Sequence, residues 1–356
     1  MESKNIFMLA VALVLIAGAI LYLESQKPQA AAPPAGNTGD LEGGAQQDDV
    51  FSPYPKAPEL AGIAGYINAP DNLTIASLRG KVVLLDIWTY TCINCIRTLP
   101  YIESWHEKYA DDGLVVIGVH SPEFEFEKDY GTVLAAVEKF GITYPVVLDS
   151  DHATWNAYQN RYWPRKYLID ANGRIRYDHI GEGGYDETEA KIVELLSEAK
   201  NGKVEMDKGK PNATAVDYRF IGTPEIYFGS LYRRAPFGNA QPLFEGDEFS
   251  ASIPAGDISP NIAYLEGSWI NGIDGIKLAS EKGVVELVFT AKNVNIVAGS
   301  QQGSNVTIYV DGAKTGSQTV NGQALYSVAD LDGYGTHRLR LEIDGKGFEI
   351  FTFTFG

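Results

Sequence analysis

The chain has 356 residues, 45% hydrophobic, 11% aromatic and 21% charged. It is too long for one ordinary domain and apolar enough to bury real cores, which excludes wholesale disorder. Lys and Arg number 29 against 46 Asp and Glu, a formal net charge of −17; this argues against nucleic acid as a partner, because phosphate recognition needs a basic surplus.

In chain order, the first element is "IFMLAVALVLIAGAILYL" at residues 6–23, free of charge throughout. At about 1.5 Å rise per residue it reaches roughly 27 Å, close to the hydrocarbon thickness of a bilayer. That length predicts a single transmembrane anchor within residues 1–24; the alternative is a cleaved signal, whose apolar region is usually about 7 to 15 residues. The following "QAAAPPAG" keeps that alternative open. Lys4 and the terminal amine orient the N-terminus to the cytoplasm, so the soluble bulk is expected on the extracytoplasmic side of the cell membrane. Residues 25–56, rich in Ala, Pro, Gly, Gln and Asp, are expected to form a disordered linker.

Between 57 and 200, strand-like runs alternate with helical ones. "KVVLLDIW" (81–88), "GLVVIGVH" (113–120), "YPVVLD" (144–149) and "RKYLID" (165–170) read as strands, and 95–110, 124–140 and 186–199 as helices. The alternation predicts an α/β domain with helices on both faces of a sheet. A polar linker at 201–215 precedes a change of character. From 216 to 356 short β runs, such as 284–291, 306–312, 337–345 and 348–356, alternate apolar and polar residues as an all-β sandwich would.

Cys92 and Cys95 are the only cysteines. As a structural staple the pair closes a very small loop and removes little entropy from the unfolded chain. As a metal site it lacks a second cysteine pair, and the five histidines are scattered, so no metal is expected. The redox reading puts Cys92 at a strand-to-helix junction, where unpaired N–H groups and the helix dipole stabilise a thiolate. Cys92 would attack and Cys95, one turn in, would resolve. Asp86, in an otherwise apolar strand, is expected to be buried with a raised pKa and to take the proton of Cys95; an aspartate tolerated near a strand end is the alternative.

"DIWTYTCINCIRTLP" resembles the active-site segment of the thioredoxin fold in its extracytoplasmic TlpA-like and redoxin branch. "GVHSPEFEFEK", "YWPRKYLID", "GEGGYDETE" and the terminal "FTFTFG" are similar to the soluble C-terminal half of the DipZ family, from about residue 57 to the end. The resemblance implies a thioredoxin-like domain followed by a jelly-roll sandwich resembling a carbohydrate-binding module. It implies a cis-proline loop at Pro164, with Trp163 ahead of it, facing the cysteines. Trp88, Tyr90, Trp163 and Glu123 are candidate substrate contacts; Glu123 or Glu125 would hang near the active site and tune the thiols, with a solvated acidic face as the alternative for both. Trp269, Tyr264, Tyr227 and Tyr232 offer stacking platforms for a glycan, or else form core.

The resemblance implies, for full-length members, a multi-span membrane portion with its own cysteines, in whose place a single span is expected here. Reduction is therefore expected in trans, from a CcdA-like or DsbD-like membrane partner. The expected function is an anchored thiol–disulfide oxidoreductase acting on disulfide-containing exported proteins, including apocytochrome c. It would need no cofactor beyond the redox-active Cys92–Cys95 disulfide. The alternatives are a redoxin-type peroxidase and an envelope glycan-binding protein with a passive thioredoxin scaffold.

Overall fold

The computed structural model describes residues 52–206, 209, 211, 216–242 and 244–356. The predicted span at 6–23 and most of the predicted linker lie outside the described residues. Among those described, no helix is long and apolar enough to cross a membrane.

The first domain is built on a six-stranded sheet. Its elements in chain order are β1 (Gly65–Ile67), β2 (Val82–Trp88), α1 (Ile93–Tyr109), β3 (Leu114–His120), α2 (Tyr130–Phe140), β4 (Val146–Leu148), α3 (Ala153–Ala157), β5 (Arg165–Ile169), β6 (Ile175–Ile180) and α4 (Tyr185–Lys200). The sheet order is β1-β4-β3-β2-β5-β6, with β2, β3 and β4 parallel and β5 antiparallel to β2. β2 is central and buried along its whole length, so its apolar residues run almost without interruption. Strand parity splits them. Val82, Leu84 and Trp88 pack with Leu99, Ile102 and Trp105 of α1 and with Ile192, Leu195 and Leu196 of α4, whereas Val83, Leu85 and Ile87 join a separate cluster on the other face.

The two faces are covered differently from the sequence expectation. α1, α2 and α4 all contribute to the Val82–Trp88 cluster, while Leu73, Ile75, Tyr158 and the short α3 with Trp155 cover the other. β1, β6 and α3 were not predicted; three strand residues in β1 and a mixed polar pattern in β6 give little periodic signal. The predicted helix at 124–140 divides at Asp129, whose side chain caps α2 by accepting from Thr132 N–H at 2.8 Å. The linker boundaries also move. Pro55 O accepts from Ile175 N at 2.9 Å and Lys56 bridges Arg174, so this end of the supposed tether lies along β6. Val204, in the second supposed linker, is buried in the α4 cluster.

The second domain comprises β7 (Ile226–Tyr227), β8 (Glu248–Ala251), β9 (Tyr264–Asn271), β10 (Ile276–Leu278), β11 (Lys282–Gly299), β12 (Ser304–Val310), β13 (Ala313–Val320), β14 (Ala324–Asp344) and β15 (Glu349–Phe355). They join in one hydrogen-bonded path, β13-β12-β14-β11-β15-β10-β9-β8, with β7 added to β15. The path turns back on itself because β11 pairs with β9 through Val284–Glu286 and with β15 through Val294–Gly299. Register shifts at Ala291/Asn293 and Val294/Asn295 accompany this change of partner. The enclosed core includes Trp269, Leu287, Phe289, Leu341 and Phe353.

Residues 52–356 form one compact unit. Phe124 and Phe126 of the first domain pack against Phe351 of the second at ring separations of 5.4 and 4.9 Å. Polar ties accompany them. Tyr227 OH donates to Glu123 Oε1 at 2.6 Å, Glu125 N–H to Asp274 Oδ2 at 2.7 Å, and Tyr218 OH to Glu182 Oε2 at 2.5 Å.

Candidate active site

β2 delivers its chain to the site through Trp88, and residues 89–91 break the strand before α1 begins. Cys92 is the N-cap, extended at φ −74° and ψ 111°, and its Sγ accepts from Cys95 N–H at 3.2 Å. Both cysteines are free thiols, Cys92 partly exposed and Cys95 buried. Asp86 projects from β2 on the side that holds Cys95; it is 1% exposed and its Oδ1 has no hydrogen-bond partner. Burial raises its pKa from 3.8 to about 6, partly opposed by the charge of Lys166. Burial also drives the Cys95 thiol well up, helped by its neighbours Cys92 and Asp86.

Cys92 departs from the expectation of a stabilised thiolate. Its thiol is raised, first by desolvation and then by Glu123 and Glu225, whose carboxyls are ionised at the pH where the thiol titrates, and these outweigh the N-cap hydrogen bond. With both thiols raised, the reduced pair holds its protons at neutral pH. Glu123 lies in the same environment. Desolvation, with the charges of Glu225 and Glu127, lifts its carboxyl to about 8, so it holds a proton at neutral pH. Glu225 as a residue is exposed, yet its carboxyl faces the cleft and desolvation raises it too.

Glu127 organises this corner. Fully buried, it accepts from Thr91 N–H and Oγ1 at 3.3 and 2.5 Å through one oxygen, and from the Glu123 and Phe124 N–H groups at 2.6 and 3.0 Å through the other. It thereby ties the residue before Cys92 to the loop carrying Glu123. Glu125 points outward and is exposed.

The Trp163–Pro164 peptide is cis. The Trp163 indole donates to Ser121 O at 2.8 Å, packs at a tilt against Trp155 at 4.2 Å, and lines the same cavity as Cys92. Two expected substrate contacts are corrected. Trp88 is wholly buried, edge-on to His120 at 5.3 Å, and Tyr90 is 8% exposed and stacked on His120 at 5.6 Å; strand parity puts Trp88, and packing on His120 puts Tyr90, in the core, away from a ligand. Trp269 and Tyr264, offered as glycan platforms, are likewise buried. Tyr227 and Tyr232 instead line the Cys92 cavity. Sequence reasoning missed Glu127, Lys166, Glu225 and the role of Tyr227 as a wall of this cavity. Lys166 had a local signal, since it falls at an inward position of a predicted strand; Glu225 had none. Among the described residues no group of three or more His, Cys, Asp or Glu is placed to hold a metal ion.

The Redoxin family matches residues 56–196, and a family described as "Thioredoxin like C-terminal domain" matches residues 223–356. Protein DipZ of Mycobacterium bovis and of Mycobacterium tuberculosis is 37% identical over 310 residues, 84% of this chain and 43% of DipZ. Thiol-disulfide oxidoreductase YkuV of Bacillus subtilis is 32% identical over 40% of this chain and 95% of its own length. Thiol-disulfide oxidoreductase ResA of Halalkalibacterium halodurans is 29% identical over 35% of this chain and 68% of its own. The chain thus spans less than half the length of DipZ, and nearly all of YkuV. By its redoxin domain, and by its similarity to YkuV over nearly all of that protein, the chain belongs to the thioredoxin-like family of thiol–disulfide oxidoreductases, with a likeness to DipZ that runs on into its second domain.

Proposed function

We propose that the protein is a membrane-anchored, extracytoplasmic reductase of disulfides in exported proteins, apocytochrome c among them, working through Cys92 and Cys95. The observation that carries this reading is the stacking of three groups: Cys92 at the helix N-cap, buried Cys95 one turn in, and the unpartnered carboxyl of Asp86 on the same side of β2. Cys92, on losing its proton, attacks one sulfur of the client disulfide; that S–S bond breaks and one client thiolate leaves and is protonated. Asp86 accepts the proton of Cys95, whose sulfur then displaces the second client thiolate from Cys92. Two electrons pass to the client and the enzyme is left with a Cys92–Cys95 disulfide. Trp163 and the cis bond at Pro164 supply the edge along which an extended client lies. A CcdA-like or DsbD-like membrane protein restores the dithiol in trans. No organic cofactor or metal enters these steps.

The test is trapping. A Cys95→Ser variant is expected to hold clients as mixed disulfides on Cys92, identified by mass spectrometry, and a Cys92→Ser variant to hold none. Failure to trap anything, together with failure of the wild type to reduce insulin, would overturn the reading.

A further inference from the structure

The second domain does more than follow the first in sequence: it builds one side of the cavity over Cys92. Thr91, Cys92, Glu123 and Trp163 come from the first domain, and Glu225, Tyr227, Tyr232 and Arg234 from the second. The cavity measures about 250 Å³, below the roughly 300–1,000 Å³ of sites that enclose drug-sized ligands. It has room for a group the size of one amino acid beside Cys92.

Its lining carries both signs of charge around the sulfur. Glu123 and Glu225 meet at Tyr227, whose OH lies 2.6 Å from one and 3.2 Å from the other. Desolvation raises the proton affinity of both carboxyls; the charge of Glu225 adds to this at Glu123, and the charge of Arg234 opposes it at Glu225. Arg161 and Arg234, both exposed, also line the cavity; among the described residues neither guanidinium makes a hydrogen bond or ion pair, while the charge of Arg234 acts on Glu225. A ligand bearing an ammonium and a carboxylate would satisfy both sets of groups while presenting a sulfur to Cys92.

We propose that this cavity binds one half of a small amino-acid disulfide of the cystine type, its ammonium at Glu123 and Glu225 and its carboxylate at Arg161 and Arg234. The inference rests on the redox reading of Cys92. Cys92 attacks one sulfur of the ligand, the ligand S–S bond breaks, and one cysteine leaves as a thiol. Cys95 displaces the second, so the dithiol is oxidised to a disulfide while cystine is reduced to two cysteines, with the two thiol protons accounted for on the products. Because Glu123 holds a proton at neutral pH, entry of an ammonium expels it, and the ligand binds more tightly as pH rises.

The experiment measures oxidation of the reduced full chain by tryptophan fluorescence. The oxidants are cystine, cystamine (no carboxylate), 3,3′-dithiodipropionate (no ammonium), 2-hydroxyethyl disulfide (uncharged) and insulin, each small disulfide normalised to its rate with dithiothreitol. The expected result is a preference for cystine of about tenfold over each of the other small disulfides, collapsing in an Arg161→Gln/Arg234→Gln variant. Equal normalised rates, or a preference that survives in that variant, would overturn the inference. If insulin is reduced and cystine has no advantage, the cavity proposal fails and the reductase reading stands; if neither oxidises the dithiol, the reductase reading fails with it.

Discussion

Asp86 couples stability to chemistry through one proton. Its carboxyl titrates near 3.8 when solvated and at about 6 in the fold. Between those values the folded chain binds the proton that the unfolded chain has released. Stability therefore falls as pH rises through that window, by roughly 3 kcal/mol, and stays at the lower level above it. Asp86→Asn removes the cost of a buried anion, so it should raise the melting temperature relative to wild type at about pH 7.5 and have little effect near pH 4. The same change should slow insulin reduction by about a hundredfold, the scale of a lost general base. Thermal unfolding at the two pH values, with turnover measured alongside, checks both. A melting difference of equal size at both pH values would show that Asp86 does not titrate as described.

The pairing of β2 with β5 adds a second charge to that environment. Asp86 stands opposite Lys166 in register, and Lys166 is wholly buried, its Nζ donating to Gly181 O at 3.0 Å and lying 5.7 Å from the Tyr185 ring. Its charge lowers the pKa of Asp86, against the larger effect of burial. Lys166→Met should then shift the pH at which Asp86 becomes a base upward, and single-turnover resolution of a Cys92 mixed disulfide should show its midpoint displaced to higher pH. No displacement would mean that Lys166 is structural only. These two strands also show what the chain discloses locally. The acid, the strand break and the cysteine pair occupy one strand–turn–helix segment, so their arrangement follows from period and capping rules that operate over a few residues. The same parity, shared with Leu84 and Asp86, sends Trp88 into the core rather than to a ligand. Glu127 sits in a run of alternating acids where only the tertiary fold decides which carboxyl turns inward. Glu225 and Tyr227 reach Cys92 through β7 pairing with β15, a register between segments more than a hundred residues apart, for which sequence carries no short-range signal.

At the scale of the whole molecule, the second domain sets the properties of the thiol as well as the shape of its cavity. Phe351, 6% exposed and packed on Phe124 and Phe126, forms with Val297 beside it an apolar contact between the halves. Tyr218 reaches Asn94, between the two cysteines, at 3.2 Å. Cys92 is desolvated in part by this wall, and Glu225, one of the two charges that raise its thiol, arrives with it. Phe351→Ala should remove about 3–5 kcal/mol of packing, loosen the wall and admit water to the cleft. The Cys92 thiol should then titrate at lower pH and react faster with iodoacetamide. Alkylation across a pH series in a Cys95→Ser background, with and without Phe351→Ala, measures this directly, and near-ultraviolet circular dichroism verifies that the first domain remains folded. Since the N-cap hydrogen bond from Cys95 lies wholly within α1, it persists in the variant. A lowered midpoint would thus assign the raised thiol to the domain interface, whereas an unchanged one would assign it to burial within the first domain alone.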